Sequence, residues 1–316
     1  RKGGEKNSRI LHELIKLRDE NAKLLGYPNH GEFRLEVKMA KRSENVFHFI
    51  HDLTGKLSQG LDREMEELLA FKRKLTGDEA SKVEFWDIPY LIAQLKKEKF
   101  LVDNEKVREY FPLEKVKTGL FEIYSKRFSV RFERLEGYPL WHEDAELYLV
   151  RDSDGSALSY FLMDLYPREG KYGHAAVFDV VIGHLGGYLS DSYISPVSPL
   201  VTNFAKPTAD QPSLLSHFEV ETFFHEFGHV MHEVLTRANH MSQAGTCVSR
   251  DFVEAPSQML ENWVWDREIL KIISSHYQTG DPLPDTILEN MIKAKNHGEA
   301  YVVVRQMVMS LFDMVV

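Results

Sequence analysis

Glu221-Thr222-Phe223-Phe224-His225-Glu226-Phe227-Gly228-His229-Val230-Met231-His232 sets two histidines and a glutamate in an otherwise apolar segment. Phe223, Phe224, Phe227, Val230 and Met231 predict a buried helix. Residues four apart share a helix face, so the imidazoles of His225 and His229 can reach one ion. Neutral imidazole is a good zinc ligand, and hydrolytic zinc sites keep one position open. Glu226 follows the first histidine and falls beside the ion, where it can take a proton from water. Zinc itself lowers the pKa of water and polarises a carbonyl. The bare pattern is only moderately specific in a chain with 14 histidines. Its apolar setting adds weight, because burying these three side chains without a ligand costs several kcal/mol. The competing reading is an exposed amphipathic helix with incidental histidines.

A third ligand has to come from another element. Glu233 and His232 are eight and seven residues from His225, roughly 12 and 10 Å along a helix at 1.5 Å per residue. His232 is therefore expected to pack or to support a ligand. The stretch Arg250-Asp251-Phe252-Val253-Glu254-Ala255-Pro256-Ser257-Gln258-Met259-Leu260-Glu261-Asn262-Trp263 offers two carboxylates. Glu254 lies 25 residues after His229, room for a loop and a returning helix, and Glu261 follows on the same helical face. Two histidines and a glutamate suit a hydrolytic zinc site. Glu254 is the favoured ligand and Glu261 the alternative. Asp251-x-x-Glu254 also fits a helix-capping pattern, the structural explanation for Glu254.

Upstream, Leu140 divides the chain into a helical region, 1–139, and a catalytic region, 140–316. Helical spacing runs over Ile10–Leu24, from Ser43 as N-cap to Leu57, again from Asp62 to Leu75, and over Asp87–Leu95 and Glu105–Tyr110. After Leu140, AELYLVRD and ALSYFLMDLYP flank Asp152-Ser153-Asp154-Gly155, a hairpin signal. AAVFDVVIG and YISPVSPLVTNF add two candidate strands, the second demoted by Pro196 and Pro199 to an edge strand or extended loop. After Pro212 helical patterns return. Trp263 and Trp265 read as core. Gly170-Lys171-Tyr172-Gly173-His174 lacks phosphate-loop spacing, and His174 is expected to be structural or substrate-lining.

With 316 residues, 43 % hydrophobic and 28 % charged, the composition is that of an ordinary globular protein. The formal charge of −9, without a basic patch, argues against a nucleic-acid partner. No apolar run approaches the roughly 20 residues needed to cross a bilayer. One cysteine, Cys247, allows no intrachain disulfide and favours a reducing compartment. The chain opens in a helical pattern and stops in VVVRQMVMSLFDMVV without a cap, so both termini are expected to be truncated.

FHEFGHVMH followed by DFVEAPSQMLENWVW resembles the thimet oligopeptidase/neurolysin family of zinc metallopeptidases. LYPREGKYGHAA (Leu165–Ala176), NFAKPTADQPSLL (Asn203–Leu215) and WHEDAELY (Trp141–Tyr148) carry the same resemblance, which covers most of the chain. It implies a mainly α, multi-helical, two-lobed zincin-type fold with a small β-sheet beside the active-site helix. It implies one Zn2+ per chain held by His225, His229 and Glu254, with Glu226 as base. Glu261 and His232 are then supporting residues; apart from the resemblance, Arg250 is read evenly as meeting a peptide carboxylate or capping a helix, and His174 as structural or substrate-lining. Short peptides are the implied substrates of a monomer, in the cytoplasm or alternatively in mitochondria. The segment Ile194–Phe204 is an expected edge for adding a substrate strand. The family completes its site with a downstream glycine-rich loop carrying tyrosine and histidine, and no such segment occurs by Val316. The alternative expectation is therefore a catalytically impaired peptide-binding fragment that retains the zinc site.

Overall fold

A computed structural model describes residues 4–186 and 192–316. The first helices are α1 (Gly4–Leu24), α2 (His30–Leu35), α3 (Ser43–Thr76), α4 (Ile88–Phe100), α5 (Asn104–Arg108) and α6 (Leu113–Phe128). Strands β1 (Arg131–Leu135), β2 (Ala145–Arg151), β3 (Ala157–Asp164), β4 (Ala176–Val177), β5 (His184–Leu185), β6 (Tyr193–Ile194) and β7 (Val197–Val201) follow. The chain then returns to helix in α7 (His217–Val234), α8 (Glu254–Glu261), α9 (Arg267–Ile273), α10 (Asp285–Ala294) and α11 (Glu299–Val315). The fold is mainly α with a small mixed sheet.

The backbone forms two compact units, Arg1–Phe100 with Lys293–Val316, and Leu101–Ile292. The change of pattern at Leu140 thus falls inside the second unit, which also contains α5, α6 and β1. In the first unit, the two helical stretches expected around Leu57 and Asp62 are one helix, α3, and its N-cap is Arg42 rather than Ser43. Leu68 and Phe71 of α3 pack on Ile88, Leu91 and Leu95 of α4. Glu64, also on α3, accepts the N–H groups of Gly298, Ala300 and Tyr301 at 2.9–3.3 Å. A carboxylate there satisfies the otherwise orphaned donors that open α11 and complements its dipole.

The sheet of the second unit runs β1-β2-β3-β7-β4, with only the β3–β7 pairing parallel. The expected hairpin is β2–β3, closed by Gly155 at φ +88°. Strand β1 departs from the helical reading of residues 1–139, whereas helix α6 falls within it, its Leu113, Val116, Leu120 and Tyr124 at helical spacing and all buried. The edge expected at Ile194–Phe204 is a correction. Strand β7 lies inside the sheet, between β3 and β4. Phe178 donates its N–H to the Pro199 carbonyl at 3.1 Å, but proline has no N–H to return. Pairing resumes where Val180 and Val181 donate to Val197. The prolines interrupt the ladder locally, and the outer edge passes to residues 176–181.

Helix α7 packs against β3, β4 and β7. Phe227 sits among Tyr124, Phe132 and Phe161 at ring separations of 4.8–5.5 Å. Phe223, Phe224 and Phe227 are fully buried, each worth about 1.5–3 kcal/mol of apolar burial. The Tyr124 hydroxyl donates to the Phe224 carbonyl at 3.2 Å. At the C-terminal end of β3, Asp164 is 2 % exposed. It accepts two bonds from Arg168 at 2.7 Å, one from Trp141 Nε1 at 2.9 Å, and an ion pair from Lys171 at 2.9 Å. Lys171 also donates to the carbonyls of Asp164, Tyr166 and Thr202, tying the end of β3 to the residue after β7.

Candidate metal centre

Helix α7 starts on a complete capping box. The Ser216 hydroxyl accepts the Glu219 N–H, and the Glu219 carboxylate accepts the Ser216 N–H at 2.7 Å. This reciprocal cap and the phenylalanine face fix the helix on the core. Its half-buried face then carries His225 and His229, whose Nε2 atoms are 3.2 Å apart. Glu254 is the first residue of α8, and its Oε2 lies 3.2 Å from His225 Nε2 and 3.0 Å from His229 Nε2. Four tetrahedral ligands at 2.0–2.1 Å from zinc stand about 3.3 Å from one another. The three donor atoms are thus near the spacing of one tetrahedral face, and two nitrogens with one oxygen are a suitable donor set.

Helix α8 reaches α7 because Gly228 has no side chain. A Cβ on Gly228 would stand 2.8 Å from Ser257 Cα. Ser257 in turn donates its hydroxyl to Glu254 Oε2 at 3.1 Å. The residue before α8, Val253, makes no side-chain capping bond. Seven residues into α8's sequence frame, Glu261 Oε2 meets His225 Nδ1 at 2.7 Å. That contact favours a proton on Nδ1 and leaves the Nε2 lone pair facing Glu254.

Glu226 is 8 % exposed beside this cluster. Burial pushes its pKa up, the nearby His225 opposes the rise, and the Glu254 charge adds to it. Burial also pushes the His229 pKa down, against the pull of Glu254, which keeps a neutral, ligand-competent imidazole. Glu254 is the open side, with 52 % of its side chain exposed.

The other sequence candidates are elsewhere or looser. His232 lines a cavity of about 390 Å³ with Gly228, Met231 and Leu260, and burial depresses its pKa. Arg250 is exposed four residues before Glu254, and His174 is exposed with its ring 5.7 Å from Tyr172. Neither makes a hydrogen bond or ion pair to the three donors among the described residues. Sequence reasoning missed Gly228, whose signal was a glycine in mid-helix, a costly position unless something packs close.

Two imidazoles from one helix and a carboxylate from the next define a centre that can hold one metal ion. The profile of Peptidase family M3 matches residues 1–316, and the chain belongs to that family. It is 39 % identical over 321 residues to saccharolysin of Saccharomyces cerevisiae, covering 98 % of this chain and 45 % of the relative. The thimet-like oligopeptidase of Dictyostelium discoideum is 38 % identical over 320 residues, covering 98 % and 47 %. Oligopeptidase A of Escherichia coli is 36 % identical over 308 residues, covering 97 % and 45 %. The chain spans less than half the length of these relatives.

Proposed function

We propose that this chain supplies the metal-binding part of a zinc-dependent endopeptidase that cleaves short peptides. The observation that carries the reading is the convergence of His225 Nε2, His229 Nε2 and Glu254 Oε2 within 3.0–3.2 Å of one another. These three residues would hold one zinc ion, whose chemistry when bound is to acidify water and polarise the scissile carbonyl. Glu226 takes the proton from the attacking water and returns it to the departing amine. Its burial favours this exchange, because a carboxylate with a raised pKa holds the proton longer. Glu261 orients His225 through Nδ1. The relatives' names, all oligopeptidases or saccharolysin, support peptides as the substrate class.

The outer edge of residues 176–181, beside α7, is the place where an extended peptide would add as a strand. No helix among the described residues is long and apolar enough to cross a membrane. A monomer in a reducing compartment, the cytoplasm or alternatively mitochondria, completes the proposal. The test is a quenched-peptide assay with and without chelator, beside Glu226→Gln. One zinc per chain is expected in both proteins, with cleavage roughly 100- to 10,000-fold slower in the variant. Cleavage that survives chelation or Glu226→Gln overturns the mechanism. One zinc per chain without any cleavage replaces it with the peptide-binding reading.

A further inference from the structure

Glu233 lies on α7 four residues beyond His229, and the proposed chemistry does not use it. Its side chain is only 1 % exposed. One oxygen, Oε1, accepts the backbone N–H of Thr246 at 2.5 Å. The other, Oε2, is buried without a hydrogen-bond donor. The loop is shaped around this carboxyl: Gly245 has φ +51°, and a Cβ there would stand 2.1 Å from Oε2. Facing Glu233 is Asp179, two residues past β4, whose carboxylate also accepts the Thr246 hydroxyl at 3.4 Å.

Among the described residues, no lysine or arginine forms an ion pair with either acid. The further titratable group near both acids is the Cys247 thiol, pushed up by burial and by the two carboxyls. His232, the preceding residue on the helix, is pushed towards the neutral form by burial. Arg237, after the helix, donates to the Thr236 carbonyl and lies over the Tyr193 ring. An ionised Glu233, buried and lacking a donor on Oε2, would be repelled by the exposed Asp179 carboxylate that shares Thr246 with it. A single proton between them removes one charge and supplies the missing donor to Oε2.

We propose that Glu233 is a positioning residue that shares one proton with Asp179, fastening the end of the motif helix to the outer edge of the sheet. Through Thr246 the same carboxyl holds the loop that leads, eight residues later, to Glu254. Its existence rests on the geometry of the pair, and its consequence for catalysis rests on the zinc-peptidase reading.

The pH dependence follows in sign. Burial, with Asp179 adding and Thr246 opposing, pushes the Glu233 pKa up to about 7 from the ordinary 4.5. The stabilisation is full below the unfolded value and is lost as pH rises through about 7. From this group alone, the folded-to-unfolded ratio falls on the order of a hundredfold between about pH 5 and about pH 9.

The experiment is urea unfolding of the chain across that range, with protection of the Thr246 amide followed by hydrogen exchange. Wild type is compared with Glu233→Gln and Asp179→Asn, each with zinc and with chelator. Glutamine keeps both bonds, accepting from Thr246 and donating to Asp179, and has no proton to lose. The expected result is a loss of stability in wild type as pH rises from about 5 to about 7, followed by loss of Thr246 protection above about 7, both absent in Glu233→Gln. Should that variant not fold, the exposed substitution Asp179→Asn serves instead. Its amide donates to an ionised Glu233, and the loss of stability between about pH 5 and about pH 7 should shrink. Equal pH slopes in wild type and the folded variants overturn the proposal. So does a rescue of wild type at high pH by calcium, which would put a cation where the proton is placed. The chelated series keeps the two readings apart: failure to bind zinc sinks the peptidase mechanism and leaves the pH slopes to judge the pair.

Discussion

Two half-hidden polar clusters lie in the second unit, and they are built on opposite plans. Around Asp164 the protein supplies its own counter-charges, with Arg168, Lys171 and the Trp141 N–H closing on one carboxylate. Burial pushes that carboxyl's pKa up, but the bonds from Arg168, Trp141 and Lys171 outweigh it and hold the group well below the usual carboxylate range. Around His225, His229 and Glu254 the three facing atoms are two imidazole nitrogens and a carboxylate oxygen, and among their described partners there is no lysine or arginine. The first cluster is electrostatically finished and therefore structural. The second gathers acceptors and lone pairs at tetrahedral spacing, an arrangement that a cation completes.

Breaking the finished cluster should give the largest effect on folding. Asp164→Asn leaves Lys171, only 3 % exposed, as a buried cation without its anion, at a cost of about 3–5 kcal/mol. Chemical denaturation would show this as a lower midpoint, while the surviving folded protein still binds one zinc. The pH dependence also has a definite sign. A depressed carboxyl contributes stability that is present above its unfolded pKa, about 3.9, and is lost as pH falls through the folded value. The wild-type protein should therefore lose stability in acid more steeply than Asp164→Asn. Matching acid profiles would show that the cluster is not the electrostatic staple described.

The two clusters also differ in how far the sequence revealed them. The motif of His225, Glu226 and His229 announces itself because a helix has a fixed period. Glu254 and Glu261 were left as alternatives by spacing alone, since nothing in one helix's period says how closely a second helix approaches it. The structure gives them different places, Glu254 at both Nε2 atoms and Glu261 at Nδ1 of His225. Asp164 was invisible, because its partners Trp141 and Lys171 come from separate stretches that meet only in the folded sheet. The same limit applied to β7. Pro199 argued for an edge strand, but Phe178 pairs with its carbonyl, and proline's missing donor costs only one bond where β4 ends.

Gly228→Ala probes the approach that spacing could not show. The added methyl meets backbone at Ser257 Cα, which has no rotamer to turn away. Relief requires α8 to move, and overpacking of this kind costs about 1–3 kcal/mol. Because α8 carries both Glu254 and Glu261, zinc affinity should fall together with stability. Asp164→Asn, by contrast, should lower stability alone. An alanine variant that keeps its zinc affinity while losing stability would separate helix packing from the donor geometry.

The smallest effect sharpens the comparison most. Glu261→Gln keeps the size of the side chain and can still accept the His225 Nδ1 proton through its amide oxygen, but it removes the charge that strengthens that bond. A ligand's outer partner of this kind typically contributes 10- to 100-fold in metal affinity, about 1.4–2.7 kcal/mol. Stability of the zinc-free chain should barely change, because Glu261 is only partly buried, at 26 % side-chain exposure. Competition of wild type and variant for zinc against a calibrated chelator measures the difference directly. Unchanged affinity would make Glu261 an ordinary ion-pair partner of His225, and the charge at Nδ1 would then have no part in preparing Nε2 for a metal.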